Sequence, residues 1–128
     1  GATLEASGAY NVLQTNGALL ENGFVSLQFG ADNIYTEGSN NAVLTVNGGW
    51  NVAGNNTFTF TNAEGIETGV SYYLLSVEKG FDISKWNTES TTVQGVAFSD
   101  LKWIDGNTKL IYQHSAQDLV WMNSAGTQ

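Results

Sequence analysis

Short runs of alternating apolar and polar residues, separated by glycine and asparagine, are the feature that most limits what this chain can fold into. In 57–61 two phenylalanines alternate with three threonines, and the same period of two recurs in 24–29 and 43–47. Successive side chains of a β-strand point to opposite faces, so the phenylalanines should face a core and the threonines water. No stretch of 11 or more residues keeps the helical period of 3.6. The chain is therefore predicted to be all-β, with helix as a minor component at most.

The strands are predicted to be short and stacked. The run Gly69–Val77, rich in aromatic and β-branched residues and free of charge, is predicted to be a central strand. Pieces beginning at Ala2, Ala18 and Ala42 form a loose repeat: an Ala-x-Leu strand, a turn centred on glycine, and an aromatic-bearing strand. Such units fit a β-solenoid resembling a parallel β-helix, in which each unit buries its apolar face on its neighbours. A β-sandwich of seven or more short strands is the alternative.

The last third of the chain contains a hairpin signal. Residues 101–112 are predicted to form two antiparallel strands that turn at 106–107. This register pairs Leu101 with Tyr112 and Trp103 with Leu110 and so sets these four large apolar side chains on one face, whereas a slip of one residue would scatter them. The segment 117–123 is predicted to add one further strand.

Composition limits the domain count and the partners. The 128 residues contain no linker and no break in composition, so residues 1–128 are predicted to be a single β-rich module. Twelve acidic residues stand against four lysines and no arginine, a net charge of −8, which argues against binding nucleic acid or an anionic membrane surface. No apolar run approaches the roughly 18 residues of a membrane-spanning helix. The absence of cysteine excludes a disulfide framework and thiolate chemistry within this chain.

Few residues could carry catalysis or bind a metal. The chain has one histidine, His114, which we interpret as a loop residue, and it lacks the common hydrolase and nucleotide-binding motifs. We therefore predict that the protein is not an enzyme and has no catalytic residue. Asp32 and Asp105 lie in turn-like segments without the order of an EF-hand loop. No metal site and no cofactor are predicted, with calcium as the alternative.

Aromatic residues are the best candidates for ligand binding. Trp86 differs from the other tryptophans because its segment, 82–90, is polar and loop-like, so its ring should either cover the core or contact a ligand. Trp86, Tyr72 and Tyr73 are the predicted ligand-binding residues, on which sugar rings could stack. Core positions are predicted for the three remaining tryptophans: Trp50, Trp103 and Trp121.

A succession of short motifs also points to a known family. The motifs are Asn56-Thr-Phe-Thr-Phe-Thr, Gly69-Val-Ser-Tyr-Tyr-Leu-Leu, Gly80-Phe-Asp, Gly106-Asn-Thr-Lys-Leu-Ile-Tyr and Asp118-Leu-Val-Trp-Met-Asn-Ser-Ala-Gly. Together they resemble the autotransporter-associated β-strand repeats of large bacterial surface and secreted proteins. The resemblance implies export, a parallel β-helix or related stacked-β fold, and a role in adhesion or display. It also implies that these residues are a fragment or repeat unit of a longer exported protein.

The leading hypothesis is a non-catalytic module of a bacterial cell-surface or secreted protein, used for adhesion or structural display. It would be extracellular or at the cell surface and would contact a glycan or host-surface ligand. One alternative is a carbohydrate-binding β-sandwich module. The other is a self-assembling extracellular filament subunit, because few lysines and no proline are present to prevent strand edges from pairing with other copies.

Overall fold

The computed structural model describes residues 3–7, 10–12, 18–48, 50–62 and 65–114, with side chains from Leu20 onward. The strands in this part of the chain are β1 (Thr3–Ser7), β2 (Tyr10–Val12), β3 (Ala18–Glu21), β4 (Phe24–Phe29), β5 (Leu44–Val46), β6 (Trp50–Ala53), β7 (Asn56–Asn62), β8 (Ser71–Val77), β9 (Thr91–Gln94), β10 (Leu101–Ile104) and β11 (Lys109–Gln113). Three 3-10 turns of three residues each, Ala31–Asn33, Ile83–Lys85 and Phe98–Asp100, are the helical elements here. The predicted all-β class is confirmed. The predicted strand 117–123, with Trp121, lies outside the described residues.

The strands form three sheets. Sheet A has the order β1-β4-β7-β9, and all its strands run parallel. Sheet B has the order β10-β11-β8-β5-β2, in which β8, β5 and β2 are parallel and the β10–β11 hairpin is antiparallel. Sheet C is the parallel pair β3-β6. Strand β8 is thus the middle strand of the mixed sheet B, as the sequence predicts.

The chain visits the three sheets in a fixed order. Strands β1, β2 and β3 belong to sheets A, B and C, and β4, β5 and β6 repeat that order. A third circuit follows with β7, β8 and a parallel bridge from Phe81 to Trp50 of sheet C, before β9 returns to sheet A. The predicted repeat does not follow these circuits, because Ala18 pairs with Trp50 while the piece that begins at Ala42 enters sheet B. The choice between β-solenoid and β-sandwich stays a prediction.

Asparagine side chains join successive circuits at the corner between sheets C and A. Asn22 adopts a φ of 50°, and its Oδ1 accepts a hydrogen bond of 2.9 Å from the Asn55 backbone N–H, 33 residues away. Asn56 is 3% exposed, and its Oδ1 accepts a 2.7 Å bond from the Gly23 N–H. Its Nδ2 donates to the Ala53 carbonyl at 3.1 Å. Because a buried amide must be paired to avoid a desolvation cost, Asn56 fixes the spacing of two adjacent turns.

The apolar core lies on the inner faces of the sheets. In β4 and β7 the alternation predicted from sequence is confirmed: the apolar inner side chains are at most 1% exposed, whereas Phe24 on the outer face is 51% exposed. The parallel register sets Val25 beside Phe58 and Leu27 beside Phe60. Each buried side chain of this size contributes about 1.5–3 kcal/mol of transfer free energy.

A β-bulge in β8 explains why four consecutive residues of this strand are buried. Leu110 pairs with Leu75 and Ile111 with Tyr73, so the register shifts at Leu74. The extra residue changes which side chains face inward. As a result Tyr73 faces a second, smaller core on the outer side of sheet B, formed with Ala42, Ile111 and the half-buried Tyr35 and Ile104.

The predicted register of the hairpin is confirmed, but its turn is longer than the predicted two residues: β10 ends at Ile104 and β11 begins at Lys109, so residues 105–108 form the loop. Leu101 pairs with Tyr112 and Trp103 with Leu110, in the predicted register. All four side chains pack into or against the main core. Asn107, in the predicted turn, has a φ of 63°, a conformation that asparagine tolerates better than most residues. Local turn chemistry and a single apolar face therefore define this register.

Gly95 provides a test of how closely the circuits approach each other. It has a φ of 93°, and a Cβ at this position would lie 1.9 Å from the Phe60 carbonyl oxygen of the neighbouring circuit. We expect Gly95→Ala to lower the free energy of unfolding by about 3 kcal/mol, since left-handed strain adds to a forced backbone shift. Gly38→Ala is the matched control, because Gly38 has a similar φ of 87° and no atom within 4 Å of its would-be Cβ.

Urea unfolding followed by circular dichroism measures both variants. The control should lose about 1–2 kcal/mol from backbone strain alone. Equal losses in the two variants would contradict the close approach of the segment after β9 to β7.

Candidate functional site

Trp86 is half-buried and belongs to a cluster of aromatic rings packed against the main core. It directly follows the 3-10 turn Ile83–Lys85, whose start is capped by Asp82: its Oδ1 accepts bonds from the Ser84 N–H at 3.3 Å and the Ser84 hydroxyl at 2.6 Å. The Trp86 ring stacks on Phe98, with centroids 5.5 Å apart and planes at 24°. Edge contacts to three more rings complete the cluster: Phe58 at 5.3 Å, Trp103 at 5.6 Å and Phe81 at 5.8 Å. Of the two roles predicted for Trp86, this geometry matches covering the core.

Tyr72 and Tyr73 point to opposite faces of β8. Tyr72 is 2% exposed and packs in the main core against Phe29, with centroids 5.0 Å apart. Tyr73 is also 2% exposed and meets Tyr35 edge-on at 5.1 Å in the outer core. The predicted platform of Trp86, Tyr72 and Tyr73 is therefore not assembled at the surface, because alternation along a strand separates neighbouring rings.

The tryptophans predicted to be core residues follow that prediction where they are described. Trp50 is 4% exposed and contacts Phe58 and Phe81. Trp103 is half-buried and stacks on Phe81 at 4.8 Å. Its indole Nε1 has no hydrogen-bond partner among the described residues. Trp121 lies outside them.

A groove on the outer face of sheet B is a candidate binding site. It has a volume of about 330 Å³ and lies over β10 and β11, between the segment that carries Tyr35 and the 3-10 turn Phe98–Asp100. Its lining residues combine an apolar floor with a polar rim: Tyr35, Ser71, Ser99, Asp100, Leu101, Lys102, Ile104, Ile111 and Gln113. We call it the sheet B groove.

Two polar contacts position side chains at the rim of the groove. The Gln113 Nε2 donates to the Gly69 carbonyl at 2.9 Å. His114 Nδ1 lies 3.5 Å from Asp100 Oδ2, and this carboxylate is 20% exposed. Burial, with a smaller contribution from Asp100, raises the pKa of the nearby Tyr112 phenol, so this core side chain stays neutral at physiological pH.

Tyr35 forms one wall of the groove and is itself supported. Its backbone N–H donates to the Ser71 carbonyl at 2.8 Å, and its ring packs on Tyr73. The Lys109 ammonium lies 5.8 Å from the ring centroid, within cation–π range. Lys109 also pairs with Asp105 at 2.8 Å, and this hydrogen bond raises the pKa of Lys109.

Sequence reasoning missed this groove because its residues are far apart in the chain. Tyr35, Ser71 and Asp100 meet only once the loop after β4 folds over sheet B. One signal was available: in the predicted hairpin register, Lys102 and Ile111 are opposite each other on the face away from the core. An outer face that carries isoleucine beside lysine is a reason to look for a cover or a ligand.

The described residues contain neither a cluster of metal ligands nor a membrane-spanning helix. Within them, no three histidine, cysteine, aspartate or glutamate side chains are grouped as metal ligands would be. Asp105, considered above for calcium, pairs instead with Lys109. The helical turns of this part of the chain are also too short to cross a membrane.

Replacement of Trp86 separates a structural role from a binding role. We expect Trp86→Ala to lower the free energy of unfolding by about 2–4 kcal/mol, because four aromatic neighbours lose a packing partner. Phe24→Ala is the control: Phe24 is exposed, and its truncation should change stability by about 0.5 kcal/mol or less. Urea unfolding measures both. Wild-type stability of Trp86→Ala would contradict the structural assignment and restore a ligand role.

Comparisons of the chain with protein-family models, with curated proteins and with solved structures found no match. The resemblance to autotransporter-associated β-strand repeats therefore rests on the sequence motifs alone. Three features of the structure therefore bear on its function: the strand topology, the aromatic cluster around Trp86 and the sheet B groove.

Proposed function

We propose that this chain is a non-catalytic, β-rich module of a bacterial cell-surface or secreted protein, serving adhesion or structural display. The observation that carries the proposal is the parallel pairing of strands from successive circuits, as in β4 with β7 and β5 with β8. A body built by stacking such circuits is stiff along the stacking direction, because every circuit is tied to the next by ladder hydrogen bonds. Such a body suits holding other parts of a protein away from a surface.

We further propose that the circuits form a short β-solenoid. Sheet A alone contributes three parallel pairs, and equivalent corners repeat, with Asn22 above Asn55. A β-sandwich would instead be built from antiparallel sheets, and antiparallel pairing among the described strands is confined to β10, β11 and β8. In this proposal the hairpin covers one end of sheet B.

The outer face of sheet A supports exposure to water. Apart from the exposed Phe24, its described side chains include hydroxyls and amides that are half-buried or exposed: Ser26, Gln28, Thr57, Thr59, Thr61, Thr92 and Gln94. Thr59 donates to the Gln94 Oε1 at 3.1 Å, so neighbouring circuits also interact through these groups. A polar face of this kind, with a net charge of −8 for the chain, keeps a rigid β protein soluble outside the cell.

Labelling of intact cells tests the proposed location and display role. Antibodies raised against the purified chain should bind intact, unpermeabilised cells of the bacterium that makes it. Protease added outside these cells should remove the signal, while a cytoplasmic marker protein stays intact as the control. Labelling that requires permeabilisation of the cells would overturn the proposal.

Self-assembly is a second candidate function, favoured by the edges of sheet A. Within the described residues, β9 pairs only with β7 and β1 only with β4, so each presents a free edge of the same parallel sheet. Strand β9 has the sequence Thr-Thr-Val-Gln, without the lysine or proline that commonly protects an edge. Strand β1 of a second copy could extend the sheet from β9 in the existing direction.

Sedimentation over a hundredfold range of concentration tests this assembly. If β9 pairs with β1 of another copy, the mean sedimentation coefficient should rise with concentration. Thr92→Lys adds a charge at the exposed edge and should abolish the rise, while Thr92→Ser should keep it. A wild-type monomer at every concentration would exclude assembly through this edge.

A further inference from the structure

We propose that the sheet B groove binds one sugar ring of a glycan. The inference deepens the proposed adhesive role, on which it rests, by naming a ligand class and a site. It also moves the ligand site away from Tyr72 and Tyr73, which are buried in the two cores, and from Trp86, whose half-buried ring packs against other aromatic rings.

The size and floor of the groove suit a sugar ring. Its volume of about 330 Å³ lies within the roughly 300–1,000 Å³ of small-molecule sites in proteins. Ile104, Ile111 and Tyr35 supply apolar surface in the groove. A sugar ring has one face made of C–H groups, which gains free energy when it leaves water for such a surface.

The rim supplies both kinds of hydrogen-bonding group that sugar hydroxyls need. Asp100 offers carboxylate oxygens as acceptors, and Gln113 offers its Oε1 because its Nε2 is already bonded to Gly69. Lys102 is an exposed donor that forms no ion pair with the described residues. Ser71 and Ser99 can donate or accept. Hydroxyl groups, which do both, match this mixture better than a ligand that only accepts or only donates.

Three polar residues of the groove, Ser71, Lys102 and Gln113, lie on strands, so their backbones are positioned before a ligand arrives. Cross-strand pairs set Lys102 beside Ile111 and Gln113 beside Ser71. The Tyr35 wall is fixed by its backbone bond to Ser71. Positioning of this kind reduces the entropy lost on binding.

Charge favours a neutral ligand over an anionic one. Asp100 places a carboxylate on the rim beside Lys102, and the chain as a whole carries a net charge of −8. A phosphate or carboxylate ligand would be attracted by Lys102 but repelled by the Asp100 carboxylate and by the net negative charge of the chain, whereas a neutral sugar would not be repelled. The class is therefore neutral hexoses and N-acetylhexosamines.

A titration by nuclear magnetic resonance tests the site. The ¹⁵N-labelled chain is titrated at millimolar concentrations with the methyl glycosides of glucose, galactose, mannose and N-acetylglucosamine. At least one sugar should produce saturable shifts grouped at the backbone amides of the groove: Tyr35, Ser71, Asp100, Lys102 and Gln113. Lys102→Ala should weaken binding about tenfold, as expected for one lost charge-assisted hydrogen bond. Lys79→Ala, an exposed lysine outside the groove, should leave binding unchanged.

Three outcomes would overturn the inference: no saturable shift with any of the four sugars, shifts centred on Trp86 in place of the groove, or equal effects of the two lysine variants. The amide spectra of the unliganded variants verify that both remain folded. Failure here leaves the labelling of intact cells unaffected, so loss of the sugar site and loss of the display role can be told apart.

Discussion

Parallel pairing between strands of successive circuits is the interaction on which the rest of the structure depends. It sets Val25 against Phe58 and Leu27 against Phe60, and thereby fills the interior of the described region. Because side chains alternate with a period of two, a slip of one residue would turn these inward-facing side chains toward water. The buried Asn56 amide opposes such a slip, since its bonds to Gly23 and Ala53 form only when two turns are aligned.

The antiparallel hairpin extends sheet B beyond its parallel strands. Its strand β11 pairs with the edge of β8 through a bulge at Leu74, which leaves Tyr73 and Ile111 on the outer face. The loop that carries Tyr35 covers part of that face. The uncovered part is the sheet B groove. One irregularity in one strand thus provides both a second core and the surface where we propose that a sugar binds.

This arrangement gives the aromatic residues different structural roles. Trp86 fills the space between Phe58 and Phe98, so its loop is held to the core by packing rather than by regular strand pairing. Tyr35 is the aromatic side chain that lines the groove. The proposed display role depends on the stacked circuits, whereas the proposed ligand site depends on the hairpin and this loop.

The sequence by itself determined that 24–29, 57–61 and 69–77 contain strands, which side chains face inward in 24–29 and 57–61, and the register of the 101–112 hairpin; it did not predict β9. These features are local: alternation and turn residues act over a few positions. Only the tertiary structure decided that Ala18 pairs with Trp50 and that Tyr72 and Tyr73 face different cores. Those outcomes depend on partner strands some thirty residues away and on a bulge that forms only against β11, and neither leaves a local pattern in the chain.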